Sequence, residues 1–194
     1  MEVVEHLGVR VPLDRDILSD KIIEKIRDGL YERKEASQLP KILNPGERVL
    51  EIGAGIGFIS TLCSRNSNPA SIRVYEANPF LIPFIKSVHA LNDVVNVDVV
   101  NAVLLNKPGL EATDFYLRHD FWASSLSPQP YGYREKVSVP VRSFSREIEE
   151  FSPTLIICDI EGGELDIADD DGSYTHLRDH ETVLDLVCRL LLEE

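Results

Sequence analysis

Basic residues are scarce in this sequence. Its 194 residues include 20 Lys and Arg against 33 Asp and Glu, which gives a formal net charge of −13 at pH 7. General binding of nucleic acid requires a basic surface that neutralises phosphates, so this balance predicts that nucleic acid is not a partner. The same excess of acid disfavours a strongly anionic cofactor, such as a phosphorylated dinucleotide, and is compatible with a cationic one.

Long apolar runs are also missing. A helix that spans a membrane needs about 20 consecutive apolar residues. The last apolar stretch, 184–192, is interrupted by Asp185 and Arg189, and acidic residues break the first apolar positions after Met1. We therefore expect neither a signal peptide nor a membrane partner.

Cysteine is rare and scattered. Cys63, Cys158 and Cys188 lie far apart in apolar surroundings, and no two of them have the spacing of metal ligands. An odd number of such cysteines is typical of reduced thiols in the core of an intracellular protein. The sequence thus predicts a cytoplasmic protein, and it assigns no metal site.

A short apolar run that leads into three glycines is the most informative feature of the chain. Glu51 precedes a turn that contains Gly53, Gly55 and Gly57, and a helical pattern follows. This arrangement brings backbone against a nucleoside-containing cofactor. A dinucleotide fingerprint requires glycine at the sixth position of the motif, which is Phe58 here, so a nicotinamide-dependent oxidoreductase is disfavoured.

Strands and helices alternate through the middle of the chain. Short links between them predict an α/β fold with a parallel, doubly wound sheet and right-handed crossovers. The first predicted strand begins at residue 48, and three more cover 71–75, 94–103 and 154–160. The predicted helices cover 58–64 and a segment from 78 or 82 to about 91. Two further segments, 114–117 and 136–141, are predicted to be extended.

Polar residues end the predicted second and third strands. Glu76 lies 19 residues after Gly57, where a carboxylate of a doubly wound fold accepts hydrogen bonds from ribose hydroxyls. Asn101 and Ala102 end the third strand at the same edge, where they can meet an adenine ring. The alternatives are a surface acid and an Asn that satisfies loop backbone.

The predicted fourth strand ends in a second acidic motif. Because strand ends face the ligand crevice, we expect Asp159 to face the reactive end of a cofactor and Glu161 to follow on the turn. The alternative is a pair of acids that stabilise the start of the next helix.

Four motifs in this order resemble those of FkbM-type methyltransferases. They are Val-Leu-Glu-Ile-Gly-Ala-Gly-Ile-Gly at 49–57, Tyr-Glu-Ala-Asn-Pro at 75–79, Asn-Ala at 101–102 and Asp-Ile-Glu-Gly-Gly-Glu at 159–164. The resemblance covers about residues 47–167. It implies a class I methyltransferase (Rossmann-like) fold, S-adenosyl-L-methionine as methyl donor and a hydroxyl oxygen of a small molecule or glycan as acceptor. The residues that would bind the cofactor are Glu51, Gly53, Gly55, Gly57, Glu76, Asn78, Asn101, Ala102 and Asp159.

The acceptor hydroxyl must lose a proton during methyl transfer. Asp159, Glu161 and His119 are the candidate bases, and their order of merit stays open. His119 begins a loop that also holds Phe121 and Trp122. These aromatic residues either stack on the acceptor or cofactor, or anchor the loop to the core.

The chain is expected to form one domain with three parts. Residues 1–46 form an N-terminal helical extension whose helix, about 19–38, is weakened or broken at Gly29; residues 47–168 form the cofactor-binding core; residues 169–194 form a divergent helical tail. The C-terminal strands of the class I fold are missing or diverged, so we expect a helix at 183–192, or a second copy of the chain, to cover an open sheet edge.

The sequence therefore predicts an S-adenosylmethionine-dependent O-methyltransferase. The alternative is a non-catalytic binding or interaction module that keeps the cofactor fold and has lost turnover.

Overall fold

A computed structural model of the protein describes residues 1–160 and the short strand at 187–189. Glu161 and most of the predicted C-terminal tail lie outside the described residues. In chain order the elements are β1 (Val3–His6), β2 (Val9–Pro12), α1 (Asp20–Arg27), α2 (Arg33–Ile42), β3 (Arg48–Ile52), α3 (Phe58–Ser67), β4 (Ser71–Glu76), α4 (Leu81–Leu91), β5 (Val97–Asn101), β6 (Val103–Leu104), β7 (Ala112–Leu117), β8 (Glu135–Arg142), α5 (Phe144–Phe151), β9 (Leu155–Cys158) and β10 (Val187–Arg189).

The central sheet has the strand order β10-β9-β3-β4-β5. Strands β9, β3, β4 and β5 are parallel, and β10 is antiparallel to β9. The chain moves outward from β3 to β4 and β5 and then returns to the other side of β3 as β9. The order of the strands thus reverses between β3 and β9.

Helices cover both faces of this sheet. Val49 of β3 packs in the core cluster that contains α3 and α4, whereas Leu50 and Ile52 pack in the cluster that contains Phe144 and Phe151 of α5. Successive side chains of a buried strand point to opposite faces, so β3 packs against an apolar cluster on each face. The predicted α/β fold with a parallel, doubly wound sheet is confirmed.

The N-terminal extension differs from the expectation of a purely helical segment. It begins with a hairpin of β1 and β2, joined by Leu7 and Gly8 at φ values of 48° and 80°. Gly29, at φ 70°, ends the first helix, so the predicted helix at 19–38 is two helices, α1 and α2. The prediction of a helical extension at residues 1–46 was wrong at the hairpin, and of the two outcomes considered for Gly29, a weak point or a break, the structure shows the break.

Two other elements correct the sequence prediction. The predicted third strand divides at Ala102, because β6 leaves the central sheet and pairs with β8 in a second sheet of order β6-β8-β7. The predicted C-terminal helix was wrong at Val187–Arg189, where the chain forms β10 and pairs with β9. A strand, rather than a helix, covers that edge of β9. The remainder of the predicted tail lies outside the described residues.

Among the helices of the described part, none combines the length and the apolar character that crossing a membrane requires.

A buried carboxylate connects α5 to the central sheet. Glu147 is 3% exposed and accepts hydrogen bonds from the Tyr75 hydroxyl at 2.6 Å and from Arg73 Nη1 at 2.7 Å. Arg73 also pairs with Asp98 on β5. This network fixes α5 against the face of the central sheet on which the Tyr75 side chain lies.

We expect Glu147→Ala to lower the free energy of unfolding by about 3 kcal/mol, because the change leaves the Arg73 guanidinium and the Tyr75 hydroxyl without their buried acceptor. Denaturant unfolding of the purified chain measures this loss. The matched control is Glu150→Ala on the same helix, which removes an exposed pair with Arg146 and should cost less than about 1 kcal/mol. Equal losses in the two variants would contradict the assignment of a stabilising role to the network.

Candidate functional site

The candidate site lies where the strand order of the central sheet reverses. Ligands of open α/β sheets bind in the crevice outside the carboxyl ends of the strands at such a point. Gly53 follows β3, Asp159 follows β9, and the Asp159 backbone N–H donates to the carbonyl of Ile52 at 2.9 Å. The two motifs that sequence reasoning singled out independently therefore meet here.

Gly53 is required by this meeting. Its φ is 87°, and a Cβ at this position would lie 2.0 Å from the carbonyl oxygen of Asp159. A side chain would have to displace backbone rather than a flexible neighbour. The turn therefore brings the backbone after β3 directly against the backbone after β9.

Gly57 permits a second close approach, to α4. A Cβ at Gly57 would lie 2.9 Å from Cγ2 of Ile85 and 3.1 Å from Nε2 of His89. Burial lowers the pKa of His89 to about 4, and its Nε2 lies 3.0 Å from the hydroxyl of Ser60. The glycine turn is thus packed tightly between the sheet and α4.

Glu76 ends β4 and holds the glycine turn. It is 7% exposed; its Oε2 accepts from the N–H of Gly55 at 2.9 Å, and its Oε1 accepts from the N–H of Asn78 at 2.7 Å. Burial raises the pKa of Glu76 to about 7, against the opposing effect of these backbone donors. Each carboxylate oxygen has a second lone pair, so Glu76 can still accept from a ligand.

Glu51 is a buried carboxylate in the strand before the turn. It is 3% exposed, and its Oε2 has no hydrogen-bond partner among the described residues. Burial, together with the nearby charges of Glu32, Asp159 and Glu76, raises the pKa of Glu51 well above its usual range, and a hydrogen bond with Ser60 opposes that effect. An unpartnered buried carboxylate oxygen is costly in the absence of a ligand.

Sequence reasoning missed the contribution of Tyr31 and Glu32. A Cβ placed on Gly55 would lie 3.5 Å from the Tyr31 hydroxyl and 3.8 Å from Oε1 of Glu32, so both side chains lie over the glycine turn. Burial raises the pKa of Glu32 to about 8, and its hydrogen bond with Tyr31 opposes this shift. No spacing rule connects residues 31–32 with the glycine motif; the break at Gly29 is the one local signal that the chain changes direction there.

A cleft of about 970 Å³ opens over this point, within the range of small-molecule sites. Glu32, Gly53, Glu76, Ala102 and Asp159 contribute to its walls. A smaller cavity of about 50 Å³ adjoins the cleft, and Glu32, Gly53 and Asp159 line both spaces.

The structure does not bring all predicted residues into the cleft. Asn101 donates its side-chain amide to the carbonyls of Glu76 and Ala77, and Asn78 accepts from the N–H of Phe80 through its side-chain oxygen. Both amides thus stabilise the loop after β4, which is the alternative that the sequence left open for Asn101. His119 has a side chain that is 78% exposed and is not among the residues that line the cleft.

The aromatic loop also contributes to the cleft. Phe121 and Trp122 line the cleft and also pack against the main core cluster, so the two roles considered for them are compatible. Cε2 of Phe121 would lie 3.6 Å from a Cβ on Gly55, and the Lys21 ammonium lies 5.4 Å from the Trp122 ring centre. The buried guanidinium of Arg118 holds the following segment through the carbonyl of Ala123 at 2.7 Å.

Comparison with solved structures finds similarity to parts of several proteins. The chain is similar to TYW2 from M. jannaschii, solved in complex with AdoMet (24% identity, 52% of this chain, 42% of that one, TM-score 0.40). It is similar to Trm5b from Pyrococcus abyssi (18% identity, 62% and 42%, TM-score 0.41). It is also similar to a precorrin-6y C5,15-methyltransferase from Geobacter metallireducens (26% identity, 47% and 48%, TM-score 0.36). The chain thus covers less than half the length of each of these proteins.

Neither the protein-family models nor the curated proteins include a match to this sequence.

We expect Gly53→Ala to destabilise the fold by about 1–3 kcal/mol more than Gly109→Ala. Both glycines have a positive φ, 87° and 78°, so both variants carry the same kind of backbone strain. Nothing lies within 4 Å of a Cβ on Gly109, whereas the carbonyl of Asp159 blocks one on Gly53. Parallel thermal and denaturant unfolding would show the difference; equal costs would mean that the approach of the two backbones is not a constraint.

We also expect the carboxyl of Glu76 to make stability depend on pH. Its folded-state pKa of about 7 lies above the usual 4.5, so the folded chain binds more protons than the unfolded chain between these values. The contribution of Glu76 to stability therefore decreases as pH rises from about 4.5 to 7. Urea unfolding at several pH values should show Glu76→Gln gaining stability relative to the parent across this window. Glu5→Gln, at an exposed position, is the control for the change in net charge, and a Glu76→Gln curve that runs parallel to the parent would refute the assignment.

Proposed function

We propose that this chain is an S-adenosyl-L-methionine-dependent O-methyltransferase that acts on a hydroxyl group of a small molecule or glycan. The observation that carries the proposal is the glycine turn after β3, which lies at the reversal of strand order with Glu76 beside it and Asp159 against it. The resemblance of the four sequence motifs to FkbM-type methyltransferases supports the same conclusion.

The residues present fit this cofactor. Positive-φ glycines leave the backbone of the turn bare, as contact with a nucleoside requires. Glu76 has lone pairs for two ribose hydroxyls, and Ala102 gives the wall of the cleft a small side chain where an adenine ring would lie. The unpartnered oxygen of Glu51 and the nearby carboxylates suit a ligand with cationic groups.

When bound, the cofactor would supply a methyl group on a sulfonium centre, and the contribution of the protein is mainly one of position. An in-line displacement requires the acceptor oxygen, the methyl carbon and the sulfur to share one axis. Asp159 faces the cleft from the end of β9 and is the candidate that orients the reacting groups. Glu161, outside the described residues, remains a proposed base, whereas the exposure of His119 argues against that role for it.

The wall formed by Phe121 and Trp122 suits the acceptor. An aromatic face can stack on the apolar face of a sugar ring, and a loop at the ligand edge of the sheet commonly carries specificity. These two residues line the same cleft as Glu76, and Phe121 lies near Gly55, whose N–H donates to Glu76. We therefore propose an uncharged, hydroxyl-bearing acceptor of the size of a sugar.

A buried thiol supports a cytoplasmic location in this proposal. Cys63 is free and buried, and burial raises the pKa of its thiol well above its usual range. Such a thiol is an unreactive core residue and needs no oxidising compartment.

Calorimetric titration tests the cofactor assignment. We expect S-adenosylhomocysteine to bind and NAD not to bind. Glu76→Ala should weaken S-adenosylhomocysteine binding by roughly 10- to 150-fold, because it removes a charge-assisted acceptor worth about 1.5–3 kcal/mol. Glu149→Ala, an exposed acid on α5, is the control and should bind as the parent does. Thermal melting of each variant confirms that it is folded.

The outcome that contradicts the proposal is a parent chain that binds NAD or binds neither ligand. If the chain binds S-adenosylhomocysteine but transfers no methyl group from S-adenosylmethionine to any hydroxyl in a broad panel of sugars and alcohols, the non-catalytic module becomes the better assignment.

A further inference from the structure

The small cavity beside the cleft has a composition that the proposed catalytic roles do not explain. Its volume is about 50 Å³, enough for a group of the size of an ammonium ion. Glu32, Glu51 and Asp159 line it from three different parts of the chain: the N-terminal extension, β3 and the turn after β9. Carboxylates from separate elements that meet in a buried space repel one another unless a cation or protons accompany them.

Glu51 gives independent support for a ligand in this cavity. Its side chain is nearly fully buried and lines the cavity, and its Oε2 lacks a hydrogen-bond partner among residues 1–160. Buried polar atoms are nearly always paired, so an unpartnered carboxylate oxygen here indicates a missing donor.

Glu32 is held beside this cavity by the packing of the extension. His6 donates from Nε2 to the carbonyl of Tyr31 at 2.7 Å, and the rings of His6 and Tyr31 pack on Phe58 at centroid distances of 4.9 and 5.6 Å. Phe58 is the first residue of α3, directly after the glycine turn. The extension therefore places Glu32 by contacts with the glycine motif itself.

Among the described residues that line the cavity, the basic one is Lys34. Its side chain is exposed, and within residues 1–160 no ion pair joins it to Glu32 or Glu51. No cluster of His, Cys, Asp and Glu in the described residues has the geometry to hold a metal ion. The cavity thus suits a small organic cation with several N–H donors better than a metal.

We propose that Glu32, supplied by the N-terminal extension, is a specificity-determining residue that joins Glu51, already expected to bind the cofactor, in holding the primary ammonium group of the methionine portion. This inference rests on the proposed function. An ammonium has three donors, which can satisfy the unpartnered oxygen of Glu51 and one oxygen of Glu32 together. The extension then acts as a selective part of the cofactor site, and a ligand without an amino group loses these contacts.

The test compares two ligands in two proteins. One ligand is S-adenosylhomocysteine, and the other is its deamino analogue, in which hydrogen replaces the amino group. The parent chain should bind S-adenosylhomocysteine roughly ten- to a hundredfold more tightly, the range expected for charge-assisted hydrogen bonds. In Glu32→Gln this ratio should fall by about tenfold, because the variant keeps the shape of the side chain and loses its charge.

The control is Glu24→Gln, which removes an exposed carboxylate from α1 and should keep the parent ratio. If Glu32→Gln fails to fold, the ratio in the parent chain decides alone: equal binding of the two ligands overturns the subsite. A folded Glu32→Gln that keeps the parent ratio overturns it as well. In both cases binding of S-adenosylhomocysteine leaves the proposed function intact, whereas a parent chain that binds neither ligand overturns both proposals.

Discussion

The approach of the backbone after β3 to the backbone after β9 is the constraint on which the rest of the site depends. The carbonyl of Asp159 occupies the place that a side chain of residue 53 would need. The position of the glycine turn after β3 relative to the turn after β9 is therefore fixed. Parallel pairing of β3 with β9 sets this distance, because Ile52 and Cys158 are register partners at the ends of their strands. Each later contact at the site, including those of Glu51 and Glu76, is made relative to that junction.

A connected series of hydrogen bonds and packing contacts holds the glycine turn in position. Glu76 fixes the middle of the glycine turn through the N–H of Gly55, and Gly57 lets α4 close on its end. On the face of the sheet that α5 covers, the buried Glu147 connects α5 to the side chain of Tyr75 on β4. The backbone carbonyl of Tyr75 in turn accepts from the N–H of Gly53. The turn is therefore positioned by both faces of the sheet, which preorganises it for a ligand.

The sequence predicts those features of the site that follow from local patterns of residues. A glycine turn between a strand and a helix, and acids at the ends of neighbouring strands, imply a shared edge of a parallel sheet, and the structure brings Gly53, Glu76 and Asp159 to that edge. The hairpin of β1 and β2 escapes such reasoning because Leu7-Gly8 lacks the Asn-Gly or Asp-Gly signal of a tight turn. The three residues of β10 lie inside a pattern that also fits a helix, and strands this short have no period of their own.

Glu32 could not be predicted because its place is a product of tertiary packing. No sequence pattern in residues 28–32 indicates contact with the glycine motif. Glu32 reaches that motif because the N-terminal extension packs on Phe58. The result is a site in which desolvated carboxylates raise one another's pKa, an arrangement that lowers the stability of the ligand-free fold. A cation that binds the folded chain alone reverses this effect, since its charge favours the ionised carboxylates and its binding free energy adds to that of folding. In the proposed site, the free energy that burial of these carboxylates costs the empty protein would therefore strengthen the binding of a positively charged ligand.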